Sequence, residues 1–126
     1  MWQFPLETYR GVRPLTSNEV ALLDALLRHP FDGVEELRAQ VRHVSATPGC
    51  TCGCGTLDLH VPDDAPRSPA ESPVPVEGTV VGAGGEAIGG ILLFAHDGRL
   101  SCLEVYPLGD DPLPLPAPEQ VRWGPA

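Results

Sequence analysis

The chain has 126 residues, a length typical of one domain that buries roughly two thirds of its unfolded surface. It carries 17 acidic and 8 basic side chains, every basic one an arginine, for a formal net charge of -9. Nucleic acids and anionic membranes are bound through clustered cations, so this charge argues against both. It favours a basic protein partner, although solubility alone also accounts for it.

Two features of the sequence bear on the cellular location of the protein. The first fifteen residues lack the basic start and apolar core of a signal peptide. No apolar run approaches the roughly 18 residues that span a membrane. We therefore expect a cytoplasmic protein, in which cysteines stay reduced or bind metal rather than form permanent disulfides.

Two short amphipathic helices are predicted first along the chain. In LTSNEVALLDALLRHP (residues 15–30), Thr16 and Glu19 have the spacing of a capping box, and leucines recur on one face. FDGVEELRAQV (residues 31–41) repeats this pattern, with Asp32 as the predicted N-cap.

The remaining elements have the period-two hydrophobicity of strands. The dipeptide Asp97-Gly98 predicts a tight hairpin turn before the last of them. Helices first and strands later predict an α+β fold, with two N-terminal helices packed on a four- or five-stranded antiparallel meander sheet. The predicted strands are VRHVSA (41–46), TLDLHV (56–61), EGTVVGA (77–83), GGILLFA (89–95) and LSCLEVY (100–106).

Three segments around these elements are predicted to be irregular parts of a single domain, residues 1–126. They are an N-terminal arm (1–14), a proline-rich mobile loop (62–75) and a proline-rich C-terminal tail (107–126). The loop has five prolines among acids and serines, a composition that contributes little to a core. We therefore expect that the loop is dispensable for stability.

Parts of the sequence also resemble other proteins. RPLTSNEVALLDALL (residues 13–27), followed by GVEELRAQV (33–41), resembles the opening of a family of small uncharacterised bacterial proteins, chiefly actinobacterial. That opening has the pattern R-P-L-T-x-x-E-x-x-L-L-x-x-L-L. DGRLSCLEVY (97–106) is similar to the closing hairpin of the same family. The resemblance implies a fold and no activity, since no function is assigned to the family.

The stretch GCTCGCG (residues 49–55) carries Cys50, Cys52 and Cys54, which together with His60 make a candidate Cys₃His zinc site. Two sulfurs on one zinc lie about 3.8 Å apart, given Zn–S bonds of about 2.3 Å. Alternate residues of a flat strand are about 6.7 Å apart, so the segment must curl to chelate.

Other interpretations of the cluster stay open. His43 and Cys102 are substitute ligands, and Cu(I) is an alternative metal because it prefers a few soft thiolates. A redox pair across one residue would be strained, and no basic side chain lies within the cluster to stabilise a thiolate. The cysteines also have the size to fill a tight turn, in which case the protein has no cofactor.

These observations leave three hypotheses for function. The first is a small acidic cytoplasmic binding or interaction protein without catalytic activity. The second is a metal-thiolate protein that binds zinc or copper through the cysteine cluster. The third is a small enzyme with a polar site around Asp58, His60 and Glu104. The sequence leaves the oligomeric state open.

Overall fold

The computed structural model describes residues 12–49 and 54–125. Among the described residues, no helix has the length and apolar character needed to cross a membrane. Within them lie β1 (Arg13–Pro14), α1 (Ser17–Leu27), α2 (Val34–Gln40), a 3₁₀ helix (Val41–His43), β2 (Ser45–Pro48), β3 (Leu57–His60), β4 (Val76–Val81), β5 (Ala87–His96), β6 (Arg99–Pro107), a second 3₁₀ helix (Pro118–Gln120) and β7 (Val121–Pro125).

The seven strands of the described residues form one antiparallel sheet in the order β1-β2-β3-β6-β5-β4-β7. The α+β class and the two helices are confirmed, but the predicted strand count is too low. The two additional strands, β1 and β7, lie at the edges of the sheet. Both are short and contain proline, so neither has an apolar alternation long enough to predict a strand.

The predicted meander describes only part of the observed strand order. β4, β5 and β6 follow one another as hairpins, but β3 pairs with β6 and β7 returns to pair with β4. The turn between β5 and β6 is the predicted one, with Asp97 at φ 55° and Gly98 at φ 76°. Two successive positive φ values define the type I′ turn, which suits the twist of a hairpin.

The predicted capping box of α1 is confirmed. The Thr16 hydroxyl accepts from the Glu19 amide at 3.2 Å, and the Glu19 carboxylate accepts from the Thr16 amide at 2.8 Å. The same carboxylate binds the Arg13 guanidinium through two contacts of 2.7 and 2.8 Å. This ion pair ties β1 to the start of α1.

The predicted N-cap of α2 is wrong. Gly33, and not Asp32, occupies that position, with φ 89° and no side-chain cap. The backbone there is left-handed and closely packed, since a Cβ at position 33 would lie 2.6 Å from the Ala70 amide nitrogen. The Ser68 hydroxyl donates to the Gly33 carbonyl at 2.7 Å, so a residue distant in sequence secures this turn.

Both helices pack against one face of the sheet, where their leucines meet the inward side chains of the strands. Leu22, Leu23, Leu26 and Leu37 are fully buried there. The buried hydrophobic core consists of Leu22, Leu23, Leu26, Leu27, Val34, Leu37, Val44, Ala46, Leu57, Leu59, Val74, Val76, Val80, Ile91, Leu93, Leu100, Leu103, Val105 and Val121.

Residues 62–75, the predicted mobile loop, are packed against the domain. Val74 is 0% exposed and its amide donates to the Leu93 carbonyl at 2.9 Å, so the segment extends the sheet contacts of β4. Ser68 is buried and its amide donates to the Gly98 carbonyl at 2.8 Å. Prolines remove donors from this segment, but the amides of Ser68 and Val74 find backbone partners, which composition alone does not reveal.

The predicted proline-rich tail, residues 107–126, is also packed against the domain over the part that the structure describes. Leu113 and Leu115 are partly buried against the core. The Asn18 side-chain amide donates to the Pro116 carbonyl at 3.0 Å and attaches this segment to α1. The described chain then ends in β7, whose Arg122 and Pro125 are features that discourage pairing of a sheet edge with another chain.

Candidate functional site

The sheet face opposite the helices carries the candidate site, and we call it the open face. Because side chains alternate along a strand, Leu103 and Val105 of β6 point into the core and their neighbours point to the open face. The strand register pairs Cys102 of β6 with Asp58 of β3 and with Phe94 of β5, so these three side chains lie on the same face. The open face comprises Asp58, His60, Leu92, Phe94, Cys102, Glu104 and Tyr106.

The centre of the open face is apolar. Leu92, Phe94 and Tyr106 are each half-buried, yet none of them belongs to the hydrophobic core or packs against it. Glu104 is paired with Leu92 across the strands and places a carboxylate at the margin of this apolar centre. An apolar centre with a polar margin is the composition of protein interaction surfaces.

A groove of about 480 Å³, which we call the end groove, adjoins the open face where β6 ends and β3 begins. Residues from four parts of the chain meet there: the end of β2, the approach to β3, the end of β6 and the segment after it. The lining consists of Gly49, Cys54, Thr56, Glu104, Val105, Tyr106, Pro107, Asp110 and Pro112.

Hydrogen bonds hold the walls of the end groove in place. The Thr56 hydroxyl donates to the Val105 carbonyl at 3.1 Å and accepts from the Val105 amide at 3.0 Å, so it joins the two strands. The Gly49 amide donates to the Thr56 carbonyl, and the Gly55 amide to the Leu113 carbonyl, both at 2.9 Å. The groove is therefore formed before any ligand binds.

The end groove is acidic. Among the residues that the structure describes, Glu104 and Asp110 are its charged lining groups, and no arginine lines it. Within residues 12–49 and 54–125, neither carboxylate has a hydrogen bond or an ion pair. Glu104 is half-buried, and no basic side chain of the described residues pairs with it.

Cys102 lies on the open face as a half-buried free thiol. Burial raises its pKa to about 11, and the charges of Asp58, Glu104 and Cys54 add to that effect. At neutral pH this cysteine is therefore almost entirely in the thiol form. Because the thiolate is the nucleophile, the environment disfavours redox or nucleophilic chemistry at Cys102.

The predicted zinc ligands fall in different places. Cys50 and Cys52 lie outside the described residues, and Cys54 lines the end groove. His60 is at the far end of β3, about 10 Å beyond Leu57 by strand geometry, and its Nε2 lies 2.9 Å from the Thr47 hydroxyl. In the described part of the chain, no three His, Cys, Asp or Glu side chains form a group suited to a metal. The zinc site stays a prediction.

The residues of the hypothetical enzyme site share the open face without forming one cleft. Asp58 and His60 are exposed on β3, and neither lines the end groove that contains Glu104. The sequence did not single out Tyr106 and Asp110, which line the groove. The alternation that places Glu104 on the open face also points to Tyr106, but Asp110 follows β6 in a segment without periodicity.

Comparison of the chain with protein-family models, with curated proteins and with solved structures finds no match. The resemblance to an uncharacterised bacterial family therefore stays a prediction.

Proposed function

We propose that the protein is a non-catalytic binding module whose open face and end groove bind a basic protein partner. The observation that carries this proposal is Glu104, a half-buried carboxylate without a partner among the described residues, in a groove without a basic side chain. A buried or half-buried charge is stabilised by an opposite charge. A cation from a partner supplies that charge at Glu104 and Asp110.

The aromatic ring in the end groove adds to the attraction. Tyr106 lines the groove beside the two carboxylates. An arginine guanidinium is attracted to the face of an aromatic ring and donates two parallel hydrogen bonds to a carboxylate. An arginine side chain of the partner therefore suits this groove better than lysine.

The apolar centre of the open face supplies the second part of the recognition. Leu92 and Phe94 are half-buried and lie beside the row that contains Glu104. Apolar side chains of the partner that cover them contribute affinity through area removed from water. The net charge of -9 adds a long-range attraction that accelerates encounter with a basic partner.

The test uses a fluorescein-labelled peptide of alternating arginine and leucine, titrated with the protein and followed by fluorescence anisotropy. We expect Glu104→Gln to weaken binding about tenfold, which corresponds to about 1.4 kcal/mol for one charge-assisted contact. The matched control is Glu35→Gln, an exposed glutamate on α2 that changes the net charge equally. Binding should also weaken between 50 and 500 mM salt, because exposed charges are screened.

Two outcomes contradict the proposal. Equal losses for Glu104→Gln and Glu35→Gln would show that the peptide follows net charge and not the end groove. Salt-independent binding would show that electrostatic attraction is not the basis of recognition. Thermal unfolding of each variant establishes that the changes in affinity do not come from loss of the fold.

A further inference from the structure

A second groove, of about 760 Å³, lies between α1 and β7. Because α1 packs on the other side of the sheet from the open face, this groove is separate from the proposed partner site. We call it the aromatic groove. Its lining consists of Ala21, Asp24, Ala25, Arg28, His29, Pro30, Pro118, Glu119, Val121 and Trp123.

Two rings form one wall of the aromatic groove. The centroids of the His29 and Trp123 rings are 6.5 Å apart, and the ring planes are inclined by 52°. Trp123 is half-buried against the core and lies over Gly78, where a Cβ would be 2.9 Å from its Cζ3 atom. The indole therefore has a fixed support on one side and lines the groove on the other.

The His29 ring is also held in place. Its Nδ1 donates a hydrogen bond to the Leu26 carbonyl at 3.1 Å. The imidazole and the indole together provide two aromatic rings set at an angle.

Carboxylates accompany these rings. Asp24 and Glu119 both line the groove, and neither has an ion pair or hydrogen bond with another described residue. Arg28 directly follows α1, four residues after Asp24, but no ion pair joins the two. Among the described lining residues, two carboxylates stand against one guanidinium, so the lining favours a cation.

We propose that the aromatic groove binds an organic ammonium group, with its alkyl surface against Trp123 and His29 and its charge near Asp24 and Glu119. Aromatic faces attract alkylated ammonium ions, which lose little hydration when they enter such a site. The small side chains of Ala21 and Ala25 leave room beside the rings. Two kinds of ligand carry such an ammonium group: a free small molecule and a peptide with a methylated lysine side chain.

The experiment uses the fluorescence of Trp123. The chain has two tryptophans, so Trp2→Phe leaves Trp123 as the single reporter in the full-length protein. Tetramethylammonium chloride is titrated, with sodium chloride as the ionic-strength control and neopentyl alcohol as an uncharged analogue of similar shape. We expect a saturable change with tetramethylammonium alone.

Variants test the two parts of the lining. In the Trp2→Phe background, Asp24→Asn and His29→Ala should each weaken binding by roughly fivefold, whereas His29→Phe should retain it because an aromatic face remains. Glu104→Gln, in the end groove, should leave the affinity unchanged. An equal response to neopentyl alcohol, or no saturable response to tetramethylammonium, would overturn the proposal.

A second arm distinguishes the sources. Choline is compared with a short peptide that contains one trimethyl-lysine and with the same peptide containing unmodified lysine. Tighter binding of the methylated peptide assigns the site to a protein partner, and equal or tighter binding of choline assigns it to a small molecule. Tighter binding of unmodified lysine than of both would overturn the aromatic basis of the site.

Discussion

Glu19 shows how much structure one carboxylate organises in this protein. The residue is 5% exposed and accepts hydrogen bonds from the Thr16 amide and from the Arg13 guanidinium. These partners favour the charged form, and the hydrogen bond from Arg13 is the largest influence that holds the pKa of Glu19 below its usual value. Arg13 is 42% exposed, so solvent screens part of this ion pair.

A pH dependence follows at Glu19. A carboxylate whose pKa is depressed by folding contributes stability that is present above the unfolded value, about 4.3, and is lost as pH falls through the folded value. Glu19→Gln should lower the free energy of unfolding by about 1–2 kcal/mol at pH 7, since the cap is weakened. Urea unfolding should show that this difference shrinks by pH 3. The control is Glu35→Gln, and an equal difference for Glu19→Gln at both pH values would contradict the prediction.

At the scale of elements, Gln40 joins the end of α2 to the hairpin of β5 and β6. Its side chain is 0% exposed. Nε2 donates to the Pro66 and Gly98 carbonyls at 2.7 and 2.8 Å, and Oε1 accepts from the Leu100 amide at 2.9 Å. One side chain therefore satisfies three backbone groups from the segment 62–75 and from the β5–β6 hairpin.

Replacement of Gln40 by leucine tests this connection. Gln40→Leu keeps a side chain of similar volume but removes the hydrogen-bond partner of buried backbone groups. Each group that water cannot reach then costs about 1–3 kcal/mol of folding free energy. Part of this cost is offset by added apolar burial, so we expect a net loss of about 2–4 kcal/mol in urea unfolding. Arg42→Leu, at an exposed position two residues later, is the control and should change stability by less than about 0.5 kcal/mol. If the Gln40→Leu variant is as stable as the control, the hydrogen bonds of Gln40 do not stabilise the contact between α2 and the β5–β6 hairpin.

At the scale of the whole molecule, residues 62–75 are part of the fold rather than an appendage. They bring Val74 into the core and connect to both α2 and the β5–β6 hairpin. The Ser72 hydroxyl accepts from the Ala95 amide at 3.0 Å, and the Arg99 side chain donates to the Asp63 carbonyl at 2.8 Å. The segment therefore links the helical layer to one end of the sheet.

Replacement of residues 62–75 by a Gly/Ser linker of equal length should now be strongly destabilising, contrary to the expectation from composition. Loss of the buried Val74 side chain and of several hydrogen bonds should remove at least about 3 kcal/mol and lower the melting temperature. A control with serine at the exposed positions Asp64 and Glu71 should melt close to the wild-type protein. An unchanged melting temperature of the linker variant would show that these contacts add no net stability.

The candidate site was predictable only where strand alternation determines it. The sequence grouped Asp58, His60 and Glu104 in one hypothetical polar site, and the structure places the three on one face of the sheet together with Cys102. Their separation along that face was not predictable, because alternation determines the face and not which residues line a groove: His60 lies away from the end groove that Glu104 lines. Trp123 and His29 are 94 positions apart in the sequence, and no local pattern indicates that their rings meet.

The sequence by itself determined the α+β class, the capping box of α1, the alternation of the inner strands and the turn at Asp97 and Gly98. These features depend on residues at most a few positions apart, whose hydrogen bonds and periodicity are local. The tertiary structure alone decided the strand order, the edge strands β1 and β7, the packing of residues 62–75 and the two grooves. Those features depend on pairing and burial between distant segments, which a local pattern does not specify because many partners can satisfy the same apolar face.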